Sequence, residues 1–277
     1  MADMGEPGPG DRIELEAPRS LTREKMEAAA LEGRQVGGKL DDESAASLLG
    51  DGAMEVVGRL LEASNATFFC VVEDRSTGRV ASCVYKPIRG ERPLYDFPDG
   101  TLACREVAAF AISEAGGWRV VPPTVMRDGP FGPGMAQLWV EVDQSADLAA
   151  LVNRDIPALR RIALFDAVLN NADRKGGHLL PLPDGRILAI DNGLSFSVEP
   201  KLRTVLWQWR GKPLEPEELA TLERLREAIG GELAPQLREL LTPAEVRAME
   251  RRIDHLLAGK RMPLPDRNRP VVPWPPF

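Results

Sequence analysis

The sequence predicts an α+β chain of two lobes, a small antiparallel-sheet N-lobe followed by a mainly helical C-lobe. Three observations carry this expectation. Up to about Val142, apolar residues alternate in short runs separated by turn residues, which is the period of half-buried strands. Beyond Val142 they recur at three- and four-residue spacing, the period of amphipathic helices. Residues 165–193 (FDAVLNNADRKGGHLLPLPDGRILAIDNG) then read as a helix, a polar loop, two short apolar runs and a second polar loop. Asp173 and Asp191 thus fall on loops at the ends of regular elements, 18 positions apart.

The elements follow in order. Residues 1–20, acidic and rich in Pro and Gly, are expected to be a disordered tail. Residues 21–142 form the N-lobe with a preceding helix over 21–32, starting at Leu21 or Thr22 and ended by Gly37-Gly38. MEVVGRLLE, TFFCVVED and VASCVYKPI read as three strands, broken at Ala63–Ala66 and at Arg75-Ser76-Thr77-Gly78. A polar stretch, RGERPLYDFPDG, leads into the helix TLACREVAAFAISEAGG, for which Thr101 is the expected N-cap. VVPPTVMR and MAQLWVEV add two strands joined by DGPFGPG, giving five strands and one helix.

Residues 143–262 are the helical C-lobe, reached through a hinge near 138–146. Helical patterns run through DLAALV, DIPALRRIALFDAVLNN, EPKLRTVLWQW, PEELATLERLREAIGG, LAPQLRELL and TPAEVRAMERRIDHLLAG. The last begins with Thr242 as N-cap and Pro243 at the first helical position. LLPL and RILAI flank the turn Pro183-Asp184-Gly185. Residues 263–277 end in VVPWPPF, a Pro-rich tail whose two aromatics are expected to pack on the body.

Composition narrows the function classes. With 277 residues, 43% hydrophobic and 28% charged, the chain has ample length for a core. A net charge of −7 argues against broad nucleic-acid binding, which needs a basic face. No run of about 18 apolar residues suggests an integral membrane segment, and Met1 to Arg19 is not signal-like, so a cytoplasmic protein is expected. The cysteines Cys70, Cys83 and Cys104 lack CxxC spacing and read as reduced thiols, the first two buried.

The loops carry the chemistry. Phosphoryl transfer needs a cover over the phosphates, a cation on them, metal ligands and a group that orients the acceptor. Lys86, ending the third strand in CVYKP, is placed to reach nucleotide phosphates, and Glu106 on the following helix to pair with it. Taken singly, these also read as a solvated strand-end lysine and an exposed helix charge. The turn Ser64-Asn65-Ala66-Thr67 lies where a nucleotide-covering loop belongs, and the hydroxyls of Ser64 and Thr67 and the backbone at Asn65 suit phosphate oxygens. It lacks GxGxxG, and an ordinary hairpin turn stays open. Asp173 would orient the acceptor and take its proton, Lys175 would neutralise developing charge, and Asp191 would chelate the metal. Trp207 and Trp209 either line a substrate pocket or pack the C-lobe. Arg203, Arg210 and Lys212 either meet an anionic acceptor or face solvent.

The segments TFFCVV, CVYKP, REVAAF, NNADRKGGH, AIDNGLSF and VLWQW together resemble the phosphatidylinositol 3-/4-kinase-like branch of the protein-kinase-like superfamily. The similarity spans about residues 53–260 and extends to small bacterial members and type II phosphatidylinositol 4-kinases. NADR and IDNGLSF are its most specific pieces. The resemblance implies a protein-kinase-like fold and ATP with Mg²⁺ or Mn²⁺ as cofactors. It implies Lys86 on ATP phosphates with Glu106 as ion-pair partner, Asp173 as catalytic Asp, Asp191 as metal ligand, and Gln137, Leu138, Trp139 and Val140 as the hinge holding adenine. The expected partners are a nucleotide and a phosphate acceptor that is an inositol lipid, a protein or a small molecule, with peripheral membrane contact left open.

One position departs from the pattern. Five residues after the catalytic Asp, relatives place an Asn that binds a second metal, and here stands His178. Imidazole suits Mn²⁺ better than Mg²⁺. His178 either only bonds the loop backbone or is a neutral metal ligand, and as a ligand it predicts activity falling as pH drops through about 6–6.5. The alternatives are a pseudokinase acting as a nucleotide-binding or scaffolding module, and an enzyme of the same fold that transfers AMP. The other histidine, His255, is expected to face solvent.

Overall fold

The computed structural model describes the backbone of Ser20–Leu21 and residues 41–60 and 65–277 in full. Residues 1–19 of the expected disordered tail over 1–20, nearly all of the expected helix over 21–32, and Ser64 lie outside the described residues, while Ser20 of that tail is ordered in a strand. Leu21 itself does not start a helix: Ser20–Leu21 (β1) pairs parallel with the end of the next strand.

Helix α1 (Asp42–Asp51) escaped the sequence reading, although its start is written locally. Asp41 accepts a hydrogen bond from the Ser44 N–H at 2.7 Å, and Ala45, Leu48 and Leu49 bury one face against the sheet. Strands β2 (Ala53–Leu60), β3 (Phe68–Asp74) and β4 (Arg79–Pro87) occupy the three predicted runs. β5 (Thr124–Gly129) and β6 (Gly132–Leu138) form the predicted hairpin. The sheet order is β1-β2-β3-β4-β6-β5, antiparallel except at β1. β3 is covered on both faces, so it reads as a continuous apolar run, FFCVV, rather than an alternation. The register sets Cys70 opposite Cys83, both buried, and puts Lys86 opposite Met135 at the end of β4.

Helix α2 (Leu102–Ala115) lies where expected, but Thr101 does not cap it with its side chain. The Thr101 hydroxyl donates instead to the Pro98 carbonyl at 2.7 Å. Glu91, a decade of residues upstream, accepts from the N–H groups of Leu102 and Ala103 at 3.1 and 2.8 Å. A carboxylate also complements the positive end of the helix dipole better than a hydroxyl does. Glu91→Ala is therefore expected to cost about 1 kcal/mol and Thr101→Ala clearly less, read as midpoints of chemical unfolding.

The C-lobe comprises α3 (Leu148–Leu151), α4 (Pro157–Leu169), the hairpin β7 (Leu179–Pro181) with β8 (Ile187–Ala189), α5 (Pro216–Gly230), α6 (Ala234–Leu240) and α7 (Pro243–Gly259). Thr242 caps α7 as predicted: its hydroxyl accepts from Glu245 N–H, and the Glu245 carboxylate returns the bond. The main core joins one face of α2 to α4, α5 and α7 through Ile112, Leu159, Phe165, Leu222 and Ile253. No helix among the described residues is long and apolar enough to cross a membrane.

The expected helix over EPKLRTVLWQW does not form. Its backbone groups bond elsewhere: Arg203 N–H to the Asn171 carbonyl, Thr204 N–H to that of Val271 and Val205 N–H to that of Arg174. These distant acceptors satisfy the donors that a helix would have paired internally. The Pro-rich tail is tied to the body through its Pro276 carbonyl, which accepts from Gly176 N–H at 2.8 Å, but its two aromatics do not pack in as expected: Trp274 is 85% and Phe277 52% exposed. A Cβ at Gly176 would overlap the Phe277 ring in its present position.

Candidate active site

Four segments remote in sequence converge at the end of β4. The sheet carries Lys86 there, and its Nζ lies 2.8 Å from Glu106 Oε1 on α2 and 3.0 Å from Asp191 Oδ1. The second Glu106 oxygen accepts from Asn192 N–H at 2.9 Å, so one buried carboxylate fixes both the ammonium and the Asp191-Asn192-Gly193 loop. Asp191 has φ of +58°, a left-handed conformation that Asp adopts more readily than most residues. Burial works against the Lys86 charge, but the Asp191 and Glu106 carboxylates outweigh it and hold the ammonium above the ordinary lysine range. The Lys86 ammonium in turn holds Asp191 far below the usual carboxylate range.

The loop after α4 brings the other groups. Asp173 N–H donates to the Asn171 side-chain oxygen at 2.9 Å, and Lys175 Nζ lies 3.4 Å from Asp173 Oδ2. Burial pushes the Asp173 carboxyl above its ordinary value, opposed by Lys175 and assisted by the Asp191 charge. A more basic carboxylate is a better proton acceptor. His178 closes the loop on a 3-10 turn, with Nε2 3.4 Å from Asp191 Oδ2.

Sequence reasoning passed over the groups that hold this loop. Arg174 is fully buried and grips Asp166 of α4 with Nε and Nη2, at 3.0 to 3.2 Å. Its remaining donors reach the Ile190 carbonyl and the Asn192 side chain, on either side of Asp191. One guanidinium thus ties α4, the Asp173 loop and the Asp191 loop together. The signal was present: Asp166 interrupts the apolar face of α4, and a carboxylate there needs a buried partner. Arg105 does similar work beneath α2, bonding Glu245 of α7 and the Ser195 carbonyl.

Other nominated residues stand differently. Gln137 is buried in β6, its amide donating to Thr124 Oγ1 at 2.8 Å, and its backbone lies between β4 and β5. Leu138 ends that strand, Trp139 packs edge-on against Phe69, and Val140 follows. Thr67 is buried with its hydroxyl turned back to the Asn65 carbonyl, and the Asn65 side chain accepts from Arg92 N–H. Trp209 is core, its indole N–H donating to Asp155, while Trp207 is partly buried and donates to the Val271 carbonyl. Arg210 bonds the Trp207 carbonyl and Lys212 pairs with Asp155. His255 is exposed, as expected.

Asp191 and His178 present one oxygen and one nitrogen 3.4 Å apart, a spacing compatible with two ligands of one ion. Among the described residues no group of three His, Cys, Asp or Glu could hold a metal unaided. This donor set fits an ion that takes its remaining ligands from nucleotide phosphates and water, as Mg²⁺ commonly does.

Burial pushes the His178 imidazole down to about 4 from its ordinary 6.5. The inflection expected near pH 6–6.5 therefore moves to about 4, and the ring stays neutral throughout the physiological range. Between the two values the unfolded chain binds the extra proton, so stability rises with pH there and is lost on acidification. Relative to His178→Asn, the wild type is expected to lose about 1–2 kcal/mol more between pH 7.5 and 5, read by urea unfolding. Equal losses would show that the folded ring titrates normally.

No protein-family model matches the chain. Over 272 residues, covering 86% of this chain and 96% of the relative, it is 44% identical to Protein Rv2133c of Mycobacterium tuberculosis. A shorter match, 27% identical over 150 residues, pairs 46% of this chain with 26% of Phosphatidylinositol 4-kinase gamma 4 of Oryza sativa subsp. japonica. Among solved structures, hydra Fam20 with sugar superposes with a TM-score of 0.53 at 14% identity, over 84% of this chain and 93% of that one. The fold is the α+β, two-lobed, protein-kinase-like fold expected from the sequence.

Proposed function

From the premise that this chain belongs to the family of Protein Rv2133c, we propose that it is an ATP-dependent phosphotransferase to a hydroxyl acceptor, of the phosphatidylinositol 3-/4-kinase-like branch. One observation carries the reading: Lys86 is held between Glu106 and Asp191, three residues from three remote segments. In this reading residues 21–142 and 143–262 are the two lobes, and the nucleotide lies between them. Lys86 binds the α- and β-phosphates, with Glu106 fixing its direction. Asp173 orients the acceptor hydroxyl and takes its proton as the new O–P bond forms and the bond to ADP breaks. Lys175 neutralises charge on the transferred group. Asp191, with His178, would hold a divalent cation, which when bound withdraws charge from the phosphates. The match to a phosphatidylinositol 4-kinase supports an inositol-lipid acceptor; proteins and small molecules are the other acceptors compatible with this chemistry.

The test begins with thermal stability in ATP, alone and with Mg²⁺ or Mn²⁺, beside Asp191→Ala. A hundredfold excess over the dissociation constant should add about 2.7 kcal/mol, and the metal-dependent part should vanish in the variant. No shift with either metal would end the kinase reading. His178→Asn, which puts an oxygen ligand in place of the imidazole, should move metal preference from Mn²⁺ towards Mg²⁺. His178 itself favours a second reading, a nucleotide-binding module without turnover or an AMP transferase. Transfer from α-labelled but not γ-labelled ATP would establish the latter. A thermal shift without transfer of either label would establish the former.

A further inference from the structure

A separate cavity of about 1040 Å³ opens between the loop at 95–98, the segment 197–207, α7 and the chain at 263–271. None of Lys86, Glu106, Asp173, His178 or Asp191 lines it. Its walls are mostly apolar, with Phe97, Leu202, Trp207, Leu256 and Leu264 among them. Tyr95, Val198 and Leu264 are exposed at its edge, three of the few large apolar side chains left in water among the described residues. This combination of volume and apolar lining is that of small-molecule sites.

The charges in the lining do not cancel. Lys201 pairs with Asp96, Arg105 with Glu245 and Arg269 with Asp266. Arg252 has no carboxylate partner among the described residues, and Arg203 makes no ion pair there although its charge acts on the Asp173 carboxyl, against one unpaired acid, Glu199, and a His255 ring whose Nδ1 is taken by the Arg251 carbonyl. Arg252 spends Nε on the Val168 carbonyl and Nη1 on that of Ser197, and leaves a buried Nη2 with no acceptor. Arg203 Nε is buried and unsatisfied in the same way. Burial pushes the Arg252 guanidinium down to about 10, so it lacks the counter-charge that buried arginines usually hold.

We propose that this cavity binds one long-chain acyl carboxylate, its two oxygens on Arg252 and Arg203 and its chain along Phe97, Trp207, Leu256 and Leu264. A planar carboxylate matches the guanidinium fork and supplies the acceptors that Arg252 and Arg203 lack. The chain removes the apolar wall from water, roughly in proportion to its length. The site does not require the phosphoryl-transfer reading, although it adjoins the Asp173 loop through Ala172 and Arg203.

The test uses the full chain and monomeric dodecanoate, followed by titration calorimetry without nucleotide. One molecule should bind per chain, with dodecanol and dodecyltrimethylammonium at least tenfold weaker and acetate unable to compete. Arg252→Met should weaken dodecanoate at least tenfold and leave dodecanol unchanged. Leu264→Asp, at an exposed position that does not threaten folding, should weaken dodecanoate comparably. Lys86→Met should leave it untouched, which separates this site from the nucleotide site. Dodecanol equal to dodecanoate, unchanged affinity in Leu264→Asp, or no saturable binding would overturn the proposal. Retention on anionic phospholipid vesicles without binding of monomeric dodecanoate would also overturn it and assign the face to a membrane surface.

Discussion

Lys86→Met is expected to lower phosphoryl transfer by at least about 10²–10³-fold at saturating ATP while leaving the chain folded. The ammonium is the one cation placed between Glu106 and Asp191, and electrostatic groups aimed at transferring phosphates are worth most when preorganised. Methionine fills the stem volume, so the sheet register at Met135 is not disturbed. Glu106 stays bonded to Asn192 N–H, which keeps the Asp191 loop in place. Glu106→Gln separates direction from charge: the amide oxygen can still accept from Asn192, but the Lys86 partner loses its charge. An intermediate loss is expected there. Single-turnover rates with γ-labelled ATP measure both variants. A Lys86→Met enzyme within threefold of wild type would remove Lys86 from the chemistry.

Arg174→Met should destabilise the protein by about 3–5 kcal/mol, the cost of breaking a buried ion pair from one side. Burial pushes the Asp166 carboxyl up from its ordinary value, and the Arg174 guanidinium is the main influence working against that push. Without it, Asp166 must take up a proton or remain charged and buried with no cation beside it, the Thr204 hydroxyl still donating at 3.3 Å, and the Ile190 and Asn192 contacts are lost as well. Arg174→Lys should fail nearly as badly, because a single ammonium cannot reach α4 and both sides of Asp191 together. The double variant Asp166→Asn/Arg174→Met should recover part of the loss, since it removes the stranded charge. Urea midpoints decide this, and a single-variant cost under 1 kcal/mol would show that solvent reaches the pair.

Much of this molecule was legible where information is local. The strands at 53–60, 68–74 and 79–87 follow from apolar runs and turn residues within a few positions of each other. The α7 cap follows from Thr242, Pro243 and Glu245, which lie within one helical turn. The polar loops around Asp173 and Asp191 stood out because each interrupts a regular pattern. The Thr101 cap misled for the opposite reason, since the better acceptor for the start of α2 belongs to Glu91, on another loop. The segment 199–209 misled likewise: its periodicity is helical, yet its N–H groups find acceptors at Asn171, Arg174 and Val271.

The amino-acid sequence by itself determined the class of fold, most of its strands and helices and the residue types offered at each loop. Periodicity, capping and turn chemistry act over a few residues and do not depend on what lies across the molecule. Tertiary structure alone decided which of those residues meet. It set Lys86 against Glu106 and Asp191, depressed His178, gave Asp166 its arginine, and left a buried Arg252 nitrogen without an acceptor. Pairing across such separations is selected by burial and loop closure, and a buried charge's partner is whatever the packed chain places within about 3 Å of it.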